Sequence, residues 1–181
     1  FNDVYVEYCH FDTIDGPGMK LKDISGPTQQ ARTDWMPTLN YVFRNNTGAN
    51  LQKYLTSWSG CLDAVVEYNY GDPVGTVHGN GLWPFNSDNS LLQFNDMRHT
   101  RGSGDAHGYD ADYNCNNTLV QYNFSYDCKG GGFVATCNGE SSTSFNVNAT
   151  YRYNISVNDG WRSGNGHSVY LNGKITETKV Y

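Results

Sequence analysis

Nothing in the 181 residues is apolar for long enough to cross a bilayer, and no basic-plus-apolar leader opens them, so neither a membrane span nor a signal peptide is expected. A mature secreted chain, or an excised segment of one, fits that absence. Charge is also scarce, at 17% of residues, and positive charge is the scarcer kind: 12 Lys and Arg face 18 Asp and Glu, for a net −6. That balance argues against an electropositive surface for nucleic acid. The five cysteines fall at irregular intervals that match no zinc spacing, and their odd number leaves at least one thiol unpaired within the chain. Against these shortages stand 20 glycines and a 14% aromatic share, the composition of a turn-rich, strand-rich protein rather than a helical bundle. With 38% hydrophobic residues, one domain over 1–181 is expected.

A five-residue phrase recurs as VVEYN (65–69), LLQFN (91–95), LVQYN (119–123) and TYRYN (150–154). A weaker copy is YVEYC (5–9), with Cys9 in the asparagine's place, and an irregular insertion at about 21–60, including the Gly26-Pro27 turn, follows it. The spacing between asparagines 69, 95, 123 and 154 is uneven, which suits a coil of fixed strands joined by corner loops of variable length. Strand alternation points Val66, Leu92, Val120 and Tyr151 inward, and Tyr68, Phe94, Tyr122 and Tyr153 with them. Asn69, Asn95 and Asn123 then form a corner row, each amide bonding to the next coil.

Aligning Gly79, Gly108, Gly132 and Gly166 defines a second strand per coil, with Leu82, Ala111, Ala135 and Val169 inside and Trp83, Asp112, Thr136 and Tyr170 outside. His78 stacks over His107 in that alignment. Strands repeated once per coil run parallel to their counterparts, so the expected architecture is all-β, a parallel β-helix of about five coils, or a piece of a longer one.

QYNFSYDCKGGGF followed by RYNISVNDG resembles the right-handed parallel β-helix repeat proteins of the pectate-lyase-like superfamily, over about residues 60 to 173. That superfamily holds pectate lyases, polygalacturonases, alginate lyases, mannuronan epimerases and several glycoside hydrolases. The resemblance implies a right-handed β-helix, an extracellular location and a polysaccharide partner. It does not select a reaction.

The residues themselves point to one acidic passage. Asp110 and Asp112, two apart on a strand, project from one face and can serve as the two carboxylates of glycosidic chemistry. Beside them His107 is a candidate base. With Asp105 the same carboxylates are candidate ligands for calcium, the one cofactor considered. Trp83 and Tyr170 offer stacking faces for a sugar, and His78 and Lys129 stand as further substrate contacts. Lys129, or Arg152 or Arg162, would be the positive group that a β-elimination needs near a sugar carboxylate. The expected function is a secreted carbohydrate-active protein of hydrolase, lyase or epimerase type. A non-catalytic glycan-binding or assembly β-helix, making end-to-end contacts with further coils or neighbouring chains, is the alternative. Of five Asn-x-Ser/Thr triplets, those at Asn45 and Asn148 lie in the longer irregular stretches and are the expected glycosylation acceptors.

Overall fold

The computed structural model describes residues 1–22, 35–137, 144–161 and 166–181; the Gly26-Pro27 turn and Arg162 lie outside them. All regular elements among the described residues are strands, and the strands pair in parallel. Among the described residues no helix is long and apolar enough to cross a membrane. The chain visits three large sheets in rotation. An eight-stranded sheet contains Asn2–Glu7, Thr38–Arg44 and the repeated phrase. A six-stranded sheet includes Thr47–Leu51, Asp96–Arg98 and Phe124–Tyr126, and a second six-stranded sheet includes Met19–Lys22, Thr56–Ser59, Leu82–Phe85, His107–Ala111, Gly131–Cys137 and His167–Gly173. This topology is consistent with a parallel β-solenoid whose layers each contribute one strand to each sheet.

The phrase aligns as its spelling requires. Val66 pairs with Leu92, Leu92 with Val120 and Val120 with Tyr151, and all four are at most 2% exposed. At the corner, Asn69 Oδ1 accepts from the backbone N and the Nδ2 of Asn46, while Asn69 Nδ2 donates to Phe43 O and Asn95 Oδ1 at 2.9 Å each. Asn95 and Asn123 repeat the pattern, and Cys9 N donates to Asn46 Oδ1 where the first copy lacks an asparagine. Every amide atom of the row is satisfied in a buried setting.

Asn46 exposes a copy that spelling hides. VFRNN (42–46) pairs with the phrase through Val42–Val65, Phe43–Val66 and Arg44–Glu67, so the passage expected to be an irregular insertion supplies the regular strands Thr38–Arg44, Thr47–Leu51 and Thr56–Ser59. Asn45 takes the aromatic's place there, which removed the signature.

The aromatic column is a correction. Tyr68, Phe94, Tyr122 and Tyr153 do not face inward; they are 41–60% exposed and stack on one another outside, with ring centroids 5.0, 5.3 and 5.1 Å apart. Alternation fails because each has φ between 53° and 55°, a left-handed residue that turns the chain between strand and asparagine. That conformation costs roughly 1–2 kcal/mol for a residue with a side chain, and each ring pair offsets about 0.5–1.5 kcal/mol. Asn45 and Asn148, expected in irregular stretches, are also left-handed corner residues, and Asn148 Nδ2 donates to Asn117 Oδ1 in an outer amide row with Asn89 and Asp63.

The solvent face of the phrase forms a third row. Arg44 bonds Glu7 and lies 3.8 Å from Glu67, Gln93 donates to Glu67, Gln121 to Gln93, and Arg152 to Gln121. These bonds are part-buried on the outer face, and each contributes little beside the fully buried amide row. The buried row carries the stability. Asn95→Ala strips acceptors from Asn69 and a donor from Val66 O, and is expected to cost about 3 kcal/mol or more. Phe94→Asn, which copies the neighbouring Asn45, is expected to stay within about 1 kcal/mol. Urea unfolding midpoints of the two variants check this ranking.

Candidate functional site

The outer face of the sheet that begins with Met19–Lys22 carries two adjoining cavities. Successive outward residues in register form two columns, Lys20–Ser57–Trp83 and Lys22–Ser59–Phe85, while Leu21 and the fully buried Trp58 lie behind them. One cavity, of about 280 Å³, is lined by both lysines, both serines, Trp83, Phe85, Asp112 and Tyr113. Its neighbour, of about 230 Å³, adds Lys53, Tyr54, His78, Asn80 and Asp105. Lys20, Trp83 and Asp112 belong to both, so the two cavities read as one groove bent around Trp83.

Trp83 is held in a wall of rings. Tyr54 meets it edge-on at 5.2 Å, Phe85 edge-on at 6.4 Å, and Tyr113 continues the row 6.2 Å from Phe85. Its Nε1 is buried and bonds no described residue, a donor left for something else.

Asp112 is half-buried at the junction and accepts from the backbone N of Tyr113 at 2.7 Å. Asp110 is different. It is 4% exposed, its Oδ2 accepts from Asn80 Nδ2 at 2.8 Å, and its Oδ1 is buried without a donor among the described residues. Burial first, then the charges of Asp112 and Asp105, push its pKa well above the usual carboxylate range, against the Asn80 bond. Asn80 Oδ1 accepts from His107 N at 3.0 Å and lies 3.1 Å from His107 Nδ1. Since Asn80 has only that oxygen to offer, the proton of this contact sits on His107 Nδ1. Asp105 is open to solvent on the other cavity's rim, with His78 Nε2 3.9 Å away.

The sequence alignment of this face slips. Leu82 pairs with Tyr109, not Ala111, and Asn80 rather than His78 meets His107. The physical marker is Gly81, not Gly79: a Cβ at Gly81 would sit 2.5 Å from Gly108 O, and one at Gly108 would sit 3.0 Å from Gly132 O. These glycines form a column where side chains have no room. Between His107–Ala111 and Gly131–Cys137 the expected alignment holds, with Ala111 opposite Ala135. Beyond it the register slips again: Tyr170 pairs with Val134, in Asp110's column rather than Asp112's, and Val169 pairs with Phe133. Tyr170 stacks on His167 at 4.8 Å and lines neither cavity. Nor does Lys129, whose backbone N bonds Thr100 O at the next turn. The groove thus gathers Trp83, Asp112, Asp105 and His78, with Asp110 and His107 immediately behind them. Among the described residues no three His, Cys, Asp or Glu side chains converge as a metal site. Sequence reasoning missed Lys20, Lys22, Tyr54, Asn80 and Phe85; the alternating MKLK at 19–22 was the available signal.

No protein-family model matches the chain. A lacto-N-biosidase of Bifidobacterium longum subsp. longum is 34% identical over 139 residues, which is 62% of this chain and 8% of that protein. The chain is similar to part of a lacto-N-biosidase. The crystal structure of a GH136 lacto-N-biosidase from Eubacterium ramulus superposes with a TM-score of 0.68 over 99% of this chain and 36% of that one, at 19% identity. Its selenomethionine form gives 0.52 over 77% of this chain and 28% of that one, also at 19% identity. At that identity the likeness is one of fold, and the chain spans well under half the length of either relative.

The neutral state of Asp110 has a measurable sign. Its pKa is raised in the fold, so its contribution to stability is intact below the unfolded value of about 4 and is lost as pH rises toward the folded value. Asp110→Asn keeps an acceptor for Asn80 and removes the charge. Thermal melts should show variant and wild type close to each other near pH 4 and the variant the more stable near pH 8, a pair of values set by the ordinary carboxylate range. A variant that loses stability at both values would show that the carboxylate itself is needed.

Proposed function

We propose that this chain is a carbohydrate-active β-helix of the glycoside hydrolase kind, acting in its groove on a glycan that contains lacto-N-biose. The observation that carries the reading is that Asp112 and Trp83 together form the junction of both cavities, so a sugar held there meets a carboxylate and an aromatic wall at once. Asp105 lines the same cavity as Asp112 and completes the pair of carboxylates that a glycosidic bond requires, one protonating the leaving oxygen and the other serving as nucleophile or as base for water. Asp110, placed behind them with Asn80 and His107, acts by holding the wall rather than by touching sugar. The similarity to lacto-N-biosidases favours hydrolysis over elimination and epimerisation. We also assign the fold to the right-handed form, because parallel strands joined by crossovers within one sheet take that hand in nearly all cases. The hidden copy at 42–46 raises its layers to one for each strand of the six-stranded sheets. An extracellular site of action accords with a glycan substrate.

The test is incubation with an oligosaccharide containing lacto-N-biose, with chromatographic detection of the released disaccharide. Asp112→Asn and Asp105→Asn should each lower kcat by about a hundredfold or more, with circular dichroism unchanged. Trp83→Ala should act mainly on KM. Binding of the oligosaccharide with no release by the wild type would make the groove a recognition site only.

A further inference from the structure

The groove's positive charge is not explained by hydrolysis of a neutral sugar. Lys20 and Lys22 are two apart on Met19–Lys22, so both side chains leave the same face, and both line the 280 Å³ cavity. Both are exposed, and neither meets a carboxylate among the described residues. The cations that do pair with a carboxylate among the described residues are arginines. Arg44 is bonded to Glu7, Arg98 to Asp96 and Arg101 to Asp127, as a surplus of acidic residues makes easy. The lysines face donors and rings instead: Ser57 and Ser59 form a low floor beside them, followed by Trp83 and Phe85, and the buried Nε1 of Trp83 is one more donor without an acceptor. Asp112 is the one carboxylate among the described residues that line this cavity, and it lies beyond the strand three layers along, about 14 Å away at the usual strand spacing.

Edge protection gives a duller reason for lysine, since Met19–Lys22 is the end strand of its sheet. The other two large sheets argue against it. Their end strands in the same layer, Asn2–Glu7 and His10–Ile14, carry no lysine at all. Within that layer lysine is placed only on the strand that faces the groove, while at the other end Lys179 lies on the end strand Lys179–Val180 of the eight-stranded sheet.

We propose that Lys20 and Lys22 form an anion subsite, which takes a carboxylate or sulfate carried by the glycan on the side of Trp83 away from Asp112. The inference rests on the glycan-groove reading and names the substrate class more narrowly: acidic glycans in preference to neutral ones. A pair of flexible ammonium groups suits a tetrahedral or planar anion approached from solvent.

Calorimetric titration of the intact chain with three probes tests it: an oligosaccharide containing lacto-N-biose, the same oligosaccharide bearing one sialic acid, and the same bearing one sulfate ester. At low salt, at least one acidic probe should bind about tenfold more tightly than the neutral one, and the gap should narrow as salt is added. In the double variant Lys20→Gln/Lys22→Gln the gap should vanish while affinity for the neutral probe is kept. Lys53→Gln, in the other cavity, should leave the gap in place. Whichever acidic probe shows the gap identifies the anion. Equal affinity for all three probes, or a gap that survives in the double variant, overturns the subsite and leaves the hydrolase reading standing. Binding with the expected gap but no sugar release overturns hydrolysis and leaves the subsite standing. Failure to bind any probe overturns both.

Discussion

A buried amide with nothing to bond is costly, and a row of buried asparagines that bond only one another and the turning backbone converts that cost into registration. Each of Asn69, Asn95 and Asn123 has both hydrogens and both acceptor directions in use, across to the next layer and back to the strand before. Shift one layer by a residue and the amides lose their partners together. The aliphatic column of Val66, Leu92 and Val120 follows from that alignment, as does the outer row from Glu7 to Arg152. So does the direction in which the chain leaves for the groove.

The strands of this corner were readable because they repeat with their asparagine. Order within the phrase identified the buried aliphatics and the amide row, and the structure pairs those residues as written. The direction of the rings was not readable, because alternation holds only while the backbone stays extended, and the spelling does not mark a left-handed tyrosine or phenylalanine. The copy at 42–46 escaped for a related reason. Asn45 is at ease in the left-handed region, so it can replace the ring without changing the turn.

On the groove side the marker was a glycine, and sequence offers too many of them. Gly79 and Gly108 both follow a histidine, whereas Gly81 and Gly108 share a place where a methyl group would collide with the neighbouring layer. Choosing the first pair placed His78 against His107 and moved Trp83 onto Asp112's column. Trp83 and Asp112 nonetheless meet, because both open into the same cavities. The lysines were out of reach: they belong to the first layer, whose partner layer had not been recognised.

The asparagines recur at unequal intervals although the corner they build is the same in every layer. Length differences must therefore be absorbed in the arcs that leave the corner and return to it. Two of those arcs, before Leu82 and before His107, carry His78, Asn80 and Asp105. A residue gained or lost there would reshape the groove and leave the corner untouched, so variation of the groove and inheritance of the corner reside in separable halves of each layer.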